Sequence, residues 1–274
     1  MSEQFSVLMS VYKNDKASYL SKSLESIYQQ SSLPTEIVLV LDGPVGSEIQ
    51  GVVEAYSNDT RIKLNIIAYG TNRGLWYALN IGLKECHTDL IFRMDADDVA
   101  YTDRFSKQLE YFRSNPEVKI VGGQITEFVG SEANIERSRS VPLSKGEIIK
   151  FAKKRNPLNH MTVAFKKEFV WETLGGYRNY TFFEDYELWV RALLNDDRSI
   201  SNISDYLVNV RTDGMVLRRS GWGYITKMMR FEHHIWNEGF LSTAEFVRVV
   251  FARMCGGLMP KMILNRLYSK FLRS

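Results

Sequence analysis

The sequence predicts an α/β fold, with a mainly parallel sheet flanked by helices and a helical C-terminal extension. Three observations carry that prediction. Short apolar runs rich in strand formers alternate with helical patterns four times in the first half of the chain. Polar residues capable of chemistry sit at the carboxyl ends of three of those runs, where open α/β sheets bind ligands. From about Gly223 only helical periodicity remains.

The first run, Phe5–Val11 (FSVLMSV), predicts a buried strand. Leu20, Leu24 and Ile27 then recur at helical spacing, and Leu33-Pro34 ends that helix. Glu36–Leu41 (EIVLVL) is a second buried strand, stopping at Asp42-Gly43-Pro44. Val52, Val53 and Tyr56 mark a second helix, and Ile62–Ile67 a third strand. Asn72-Arg73-Gly74 opens a third helix carrying Leu75, Ala78, Leu79 and Leu83. Leu90–Met94 is a fourth strand, ending in Asp95-Ala96-Asp97-Asp98, and a helix with Phe105, Leu109 and Phe112 follows. Beyond Gly122 the alternation becomes irregular. Strands are expected at Lys119–Val129, Thr162–Phe165 and Tyr206–Arg211, with a basic helix near Ser144–Lys154 and another helix over Glu184–Leu194. In the C-terminal part Ser242 and Glu245 form a capping box, and Met259-Pro260 breaks the next helix. The pattern divides the chain into 1–215, itself split at 122/123, and a helical region 216–274; no linker composition sharpens these boundaries.

At 274 residues, 45% hydrophobic and 24% charged, the chain can bury a substantial core without covalent staples. Cys86 and Cys255 have neither metal-site nor redox spacing, so a reducing compartment fits. The N-terminus runs straight into a strand without a signal-peptide pattern, and no apolar run nears the roughly 20 residues that span a bilayer. A cytoplasmic protein is expected. The net charge of +3 hides an asymmetry: residues 218–274 hold ten Lys/Arg against three acids, leaving the remainder at −4. A basic tail on an acidic body suits an anionic partner. In the tail, Ile263, Leu264, Leu267, Tyr268, Phe271 and Leu272 form an apolar stripe beside Lys261, Arg266, Lys270 and Arg273. That stripe suits a membrane interface with anionic lipids, or packing on the body of the protein or on another subunit.

Four patches carry chemistry. Three carboxylates within Asp95–Asp98 repel one another unless a hard divalent cation balances them, although Asp97 or Asp98 could instead start a helix. Asp42 ends a buried strand, where its carboxylate can serve a turn or accept an N–H from a base. Asn72-Arg73-Gly74 sits at a helix start, where backbone N–H groups attract anions; Arg73 can reach a diphosphate, or the Asn can simply cap. In FFEDYELW, Glu184 and Asp185 lie among aromatics that raise a carboxylate's proton affinity, yet the same pattern reads as ordinary core with acidic caps. Neither G-x-G-x-x-G nor G-x-x-x-x-G-K-[ST] nor G-x-S-x-G is present.

In this order, the segments SVLMSVYKND, EIVLVLDG, NRGLWYALNIGL, MDADD, NPLNHMTVAF and FFEDYELW resemble the inverting family-2 glycosyltransferases of the GT-A fold, over roughly Phe5 to Arg211. The resemblance implies a GT-A-like, Rossmann-like sheet with a nucleotide-binding half (1–122) and an acceptor and catalytic-base half (123–215). It implies that Ser10, Val11 and Tyr12 line the nucleotide pocket, that Asp42 contacts the base, and that Asn72, Arg73, Gly74 and Asn80 flank the nucleotide. Asp95 and Ala96 would lie by the ribose, and Asp97 with Asp95 would hold Mn2+ or Mg2+. Asp185 would be the catalytic base with Glu184 beside it, and His160 would lie near donor sugar or acceptor. After the last strand the family often has a His-Ser pattern; here the stretch is Val210–Met215, which leaves a third metal ligand open. More narrowly, the chain is similar to bacterial enzymes of O-antigen and exopolysaccharide assembly. This implies a UDP-hexose donor (UDP-glucose or UDP-galactose) and a polyprenyl-pyrophosphate-linked saccharide acceptor such as N-acetylglucosamine-pyrophosphate-undecaprenol.

Three rival functions are weaker. A sugar-nucleotide pyrophosphorylase would carry a glycine-rich loop after the first strand, where Tyr12-Lys13-Asn14-Asp15-Lys16 has no glycine. A non-catalytic nucleotide-sugar-binding subunit need not keep both acidic pairs. A nucleic-acid binder would show a stacking or groove-binding module, and none is present.

Overall fold

The computed structural model describes residues 3–213 and 222–258. Along the chain lie β1 (Phe5–Val11), α1 (Ala17–Tyr28), β2 (Glu36–Leu41), α2 (Ser47–Ser57), β3 (Lys63–Ala68), α3 (Leu75–Glu85), β4 (Leu90–Asp95), β5 (Val99–Ala100) and α4 (Arg104–Ser114). There follow β6 (Ile120–Phe128), β7 (Ile135–Arg139), α5 (Lys145–Ala152), β8 (Ala164–Lys166), α6 (Glu184–Asn195), β9 (Ile200–Arg211), α7 (Trp222–Asn237) and α8 (Thr243–Leu258). Among the described residues the strands form one sheet in the order β3-β2-β1-β4-β8-β6-β9-β5, with β7 on β6.

β1 pairs in parallel with both β2 and β4, and β2 with β3. The chain therefore builds outward from β1 to β3 and then returns to add β4 on the other side. That reversal is a topological switch point, and it opens a crevice beyond the strands' carboxyl ends. The register puts Ser10 beside Asp95 there, with Val11 beside Leu41. β8 runs antiparallel between β4 and β6, and β9 parallel to β6.

Alternation along the central strands feeds two cores. Val7, Met9, Leu39 and Phe92 face Leu20, Leu24, Phe105 and Leu109 of α1 and α4. Leu8, Val38, Val40 and Ile91 face Ala78, Leu79 and Leu83 of α3 and a layer from α6 and α7 that includes Trp189 and Phe231. A strand covered on both faces is apolar at nearly every position, and in β1 and β2 the buried exceptions, Ser6 and Glu36, hydrogen-bond each other. Ile225, Met228, Phe231 and Ile235 place α7 within this second core. The capping box forms as expected: Ser242 N–H donates to Glu245 (2.9 Å) and the Glu245 N–H to Ser242 Oγ (3.3 Å).

Several elements differ from expectation. β9 begins at Ile200, six residues earlier than its apolar part, because its first half (ISNISD) satisfies the β6 ladder with polar residues. β7 (IERSR) is a charged strand without an apolar face. Thr162 and Val163 precede β8, and Thr162 instead ends a short 3-10 turn, His160–Thr162. No helix among the described residues is long and apolar enough to cross a membrane. The tail stripe and Met259-Pro260 lie outside the described residues.

Candidate active site

Asp42 follows β2 and is 4% exposed. Its two carboxylate oxygens accept four hydrogen bonds: from the Tyr69 hydroxyl (2.9 Å), Asn72 Nδ2 (2.9 Å), Arg73 N–H (2.7 Å) and Gly74 N–H (2.9 Å). The expected contact with a base thus competes with a carboxylate that already organises the loop entering α3. Gly43 and Gly74 both have positive φ (85° and 90°), which lets the chain fold back on Asp42. Arg73 is exposed and lies over the Tyr77 ring (4.7 Å), with no acid in ion-pair reach among the described residues. An open depression lined by Lys13, Lys16, Ser47 and Ile49 adjoins the ends of β1 and β2. Tyr12 N–H donates to Asp15 (2.9 Å) at its rim. A second depression, between α5 and α8 and lined by Lys150, Lys153, Lys154 and Arg248, holds none of these residues.

At the end of β4 the three acids face different ways. Asp95 pairs with Arg93, whose guanidinium is 1% exposed and leaves Nε and Nη1 without a hydrogen-bond partner. Asp98 is buried and accepts from the Arg211 N–H (2.9 Å); burial and the charges of Asp97 and Asp95 hold its carboxyl well above the ordinary range. Asp97 is pushed up to about 6 by burial and then by Asp95. Asp97 and Asp98, raised in this way, lie where positive charge is short. Ala96 is buried between them. Asp95 and Asp97 offer the hard oxygen donors that Mg2+ and Mn2+ take. Among the described residues no three His, Cys, Asp or Glu side chains converge as a metal site. A cation here would therefore need phosphate or water oxygens as well. The stretch in which a further ligand was sought begins at the end of β9, which carries Arg211. Its guanidinium lies between the Tyr19 (3.8 Å) and Phe128 (4.5 Å) rings and donates to the Asp97 carbonyl (3.3 Å).

Glu184 and Asp185 begin α6. Asp185 is gripped by Asn156 Nδ2 (2.6 Å) and the Tyr186 N–H (2.8 Å), which fix the direction of its oxygens. Glu184 is 7% exposed and pushed up to about 7, chiefly by burial. Phe182, just before, holds φ at 76°, the only positive φ outside glycine among the described residues.

The Tyr177 phenol is raised by burial; Arg93 opposes this, while Asp185, Asp95 and Glu184 add to it. His160 Nε2 lies 3.1 Å from the Tyr177 hydroxyl, and burial, then Arg93, hold its ring well below the ordinary imidazole range. His160 is thus a buried neutral partner of Tyr177 and Trp189. Asn80, expected to flank the nucleotide, spends its amide on the Tyr177 backbone in both directions (2.7 and 2.8 Å). Sequence reasoning missed Arg93, Tyr177, Asn156 and Arg211. Arg93 carried a local signal as a charge inside the apolar run LIFRM, and Asn156 and Arg211 lie in segments already singled out, but no role was assigned to any of them.

A sheet with an acidic cluster at its switch point, and a second carboxylate pair opening a later helix, suits a nucleotide-sugar transferase. Residues 6–180 match the family described as "Glycosyl transferase family 2". The chain belongs to that family and is a glycosyltransferase. It is 37% identical to the amylovoran biosynthesis glycosyltransferase AmsE of Erwinia amylovora, over 97% of this chain and 98% of that protein. It is 34% identical to the Escherichia coli UDP-Gal:alpha-D-GlcNAc-diphosphoundecaprenol beta-1,3-galactosyltransferase, over 98% and 97%. The crystal structure of S. aureus TarS 1-349 in complex with UDP-GlcNAc shares the fold, with TM-score 0.67 and 19% identity, over 97% of this chain and 73% of that one.

Proposed function

We propose that this glycosyltransferase moves a hexose from a UDP-hexose, UDP-galactose or UDP-glucose, to a sugar hydroxyl of an N-acetylglucosamine-diphosphate-polyprenol, with inversion at the anomeric carbon. The carboxylate of Asp185, oriented by Asn156 and the Tyr186 N–H in a chain of this family, carries this reading, because an oriented carboxylate is what an acceptor hydroxyl needs as base. The Escherichia coli relative, similar over nearly its whole length, supports the donor and acceptor class.

In this proposal the Asn72–Gly74 loop, shaped by Asp42, and Ser10–Tyr12 seat the nucleotide. Asp97 and Asp95 would hold Mn2+ or Mg2+, which neutralises charge on the leaving diphosphate when bound. Asp185, held by Asn156, takes the proton of the acceptor hydroxyl as that oxygen attacks the anomeric carbon. The bond to UDP breaks on the opposite face, so no covalent enzyme intermediate forms. A lipid-linked acceptor places the enzyme at the cytoplasmic face of the inner membrane.

Transfer from UDP-galactose and UDP-glucose to a synthetic N-acetylglucosamine-diphosphate-lipid, read by mass with an EDTA control, tests this. Product from one donor, lost with EDTA, is expected. Asp185→Asn should lower kcat by roughly 10²–10⁴-fold with UDP affinity unchanged. Near-normal turnover in that variant removes Asp185 as base.

A further inference from the structure

Glu184 and Asp185 are preceded by a segment whose rings have unusual neighbours. Phe183 turns inward and stacks on Phe231 of α7 (4.9 Å, 8° between planes). Phe182 does the opposite: it is 38% exposed, and it holds a positive φ that a large side chain disfavours. Lys227 of α7 sets its ammonium 4.8 Å from the Phe182 ring, and Tyr224 lies 5.8 Å away. One turn further, Arg230 sits 5.3 Å from the Tyr180 ring, which also stacks on His234 (4.8 Å). Lys227 and Arg230 are exposed, three residues apart and so on one helix face. Neither has a carboxylate in ion-pair reach among the described residues. Packing alone does not account for an outward aromatic and two acid-free cations in a row that begins beside the base.

We propose that this row, from Phe182 along Lys227 to Arg230, seats the acceptor: its sugar ring against Phe182 and its diphosphate on the two cations. This rests on the reading of Asp185 as base toward a sugar-diphosphate acceptor, and it assigns that acceptor a place. The C–H face of a pyranose is apolar and suits an aromatic ring, as apolar groups generally do. A diphosphate carries dense negative charge that charge-assisted hydrogen bonds from Lys and Arg satisfy. The order along the row matches the order within the ligand, with the sugar hydroxyl nearest Asp185 and the diphosphate farther along α7.

The test compares two acceptors, N-acetylglucosamine-diphosphate-lipid and octyl N-acetylglucosaminide, which lacks the diphosphate, in wild type, Lys227→Met/Arg230→Met, Phe182→Leu and Phe182→Tyr. The doubly substituted protein should raise KM for the diphosphate acceptor at least roughly tenfold, the order expected for lost charged hydrogen bonds, and leave KM for the octyl glycoside unchanged. Phe182→Leu should raise KM for both, and Phe182→Tyr should restore it. UDP affinity should stay constant throughout. Unchanged acceptor KM in the double variant overturns the proposal while the transferase reading stands. A rise in donor KM instead assigns the cations to UDP-sugar and also overturns it. If wild type transfers to neither acceptor, the substrate reading fails. The row is then judged by calorimetric binding of the N-acetylglucosamine-diphosphate-lipid in the presence of UDP: weaker binding by the double variant supports it, and equal binding overturns it.

Discussion

Glu184 shows how one buried carboxyl shapes a stability profile. Its ordinary value of 4.5 is pushed up to about 7 by burial, so the folded protein keeps a proton that the unfolded chain releases. The stabilisation from that proton is fully present below pH 4.5 and is lost as pH rises through 7. The shift corresponds to about 3 kcal/mol across the window. Glu184→Gln keeps the shape without the ionisation, so its stability should fall less than wild type's between pH 5 and pH 8. Urea melts at the two pH values check this, and equal losses in both proteins would show that Glu184 ionises freely. The acidic residues themselves were legible in the sequence as types and spacings. Their inequality was not: Asp98 faces inward to Arg211, Asp95 pairs with Arg93, and Asp97 retains the unmet demand for positive charge.

Elements were legible where an apolar run or period marks them, as in β1, β2 and the half-exposed β3, and obscure where the strand is polar. β1 and β2 coincide with their apolar runs because each side chain meets a core. β7 and the first half of β9 lack that signal, since ladder hydrogen bonds and neighbouring chains hold them rather than apolar area. Turns follow their own chemistry. A Cβ on Gly43 would come within 2.6 Å of the Asn72 backbone nitrogen, on a φ of 85°. Gly43→Ala should therefore cost about 1–3 kcal/mol and weaken UDP binding, because the Asn72–Gly74 loop must move away from Asp42. Thermal melts and UDP titration check the two effects. A variant that loses stability but binds UDP normally would separate this loop from the nucleotide.

Across the whole molecule, the C-terminal helices are tied to the chemistry by packing. Phe231 is fully buried between Phe183 and Tyr186, which flank the acidic pair of α6. Arg253 of α8 reaches Glu232 of α7 (3.0 Å) and the Lys154 carbonyl (3.0 Å), adding a polar tie to α5. Phe231→Ala should destabilise by about 3–5 kcal/mol and lower kcat, since Phe183 loses the ring that sets the start of α6. Unfolding followed by far-ultraviolet circular dichroism and by tryptophan fluorescence should coincide in wild type, as one shared core requires. An early transition confined to α7 and α8 would show that they fold apart.

By itself the sequence determined the alternating α/β order, the buried strands, the family and the acidic motifs, because hydrophobic periodicity and short motif spacings are local properties of the chain. Only the tertiary structure decided that β4 returns beside β1, that Asn156 reaches Asp185 and orients it, and that α7 lays Lys227 beside Phe182. Those are contacts between distant segments, and their energy exists only once the sheet has brought the segments together.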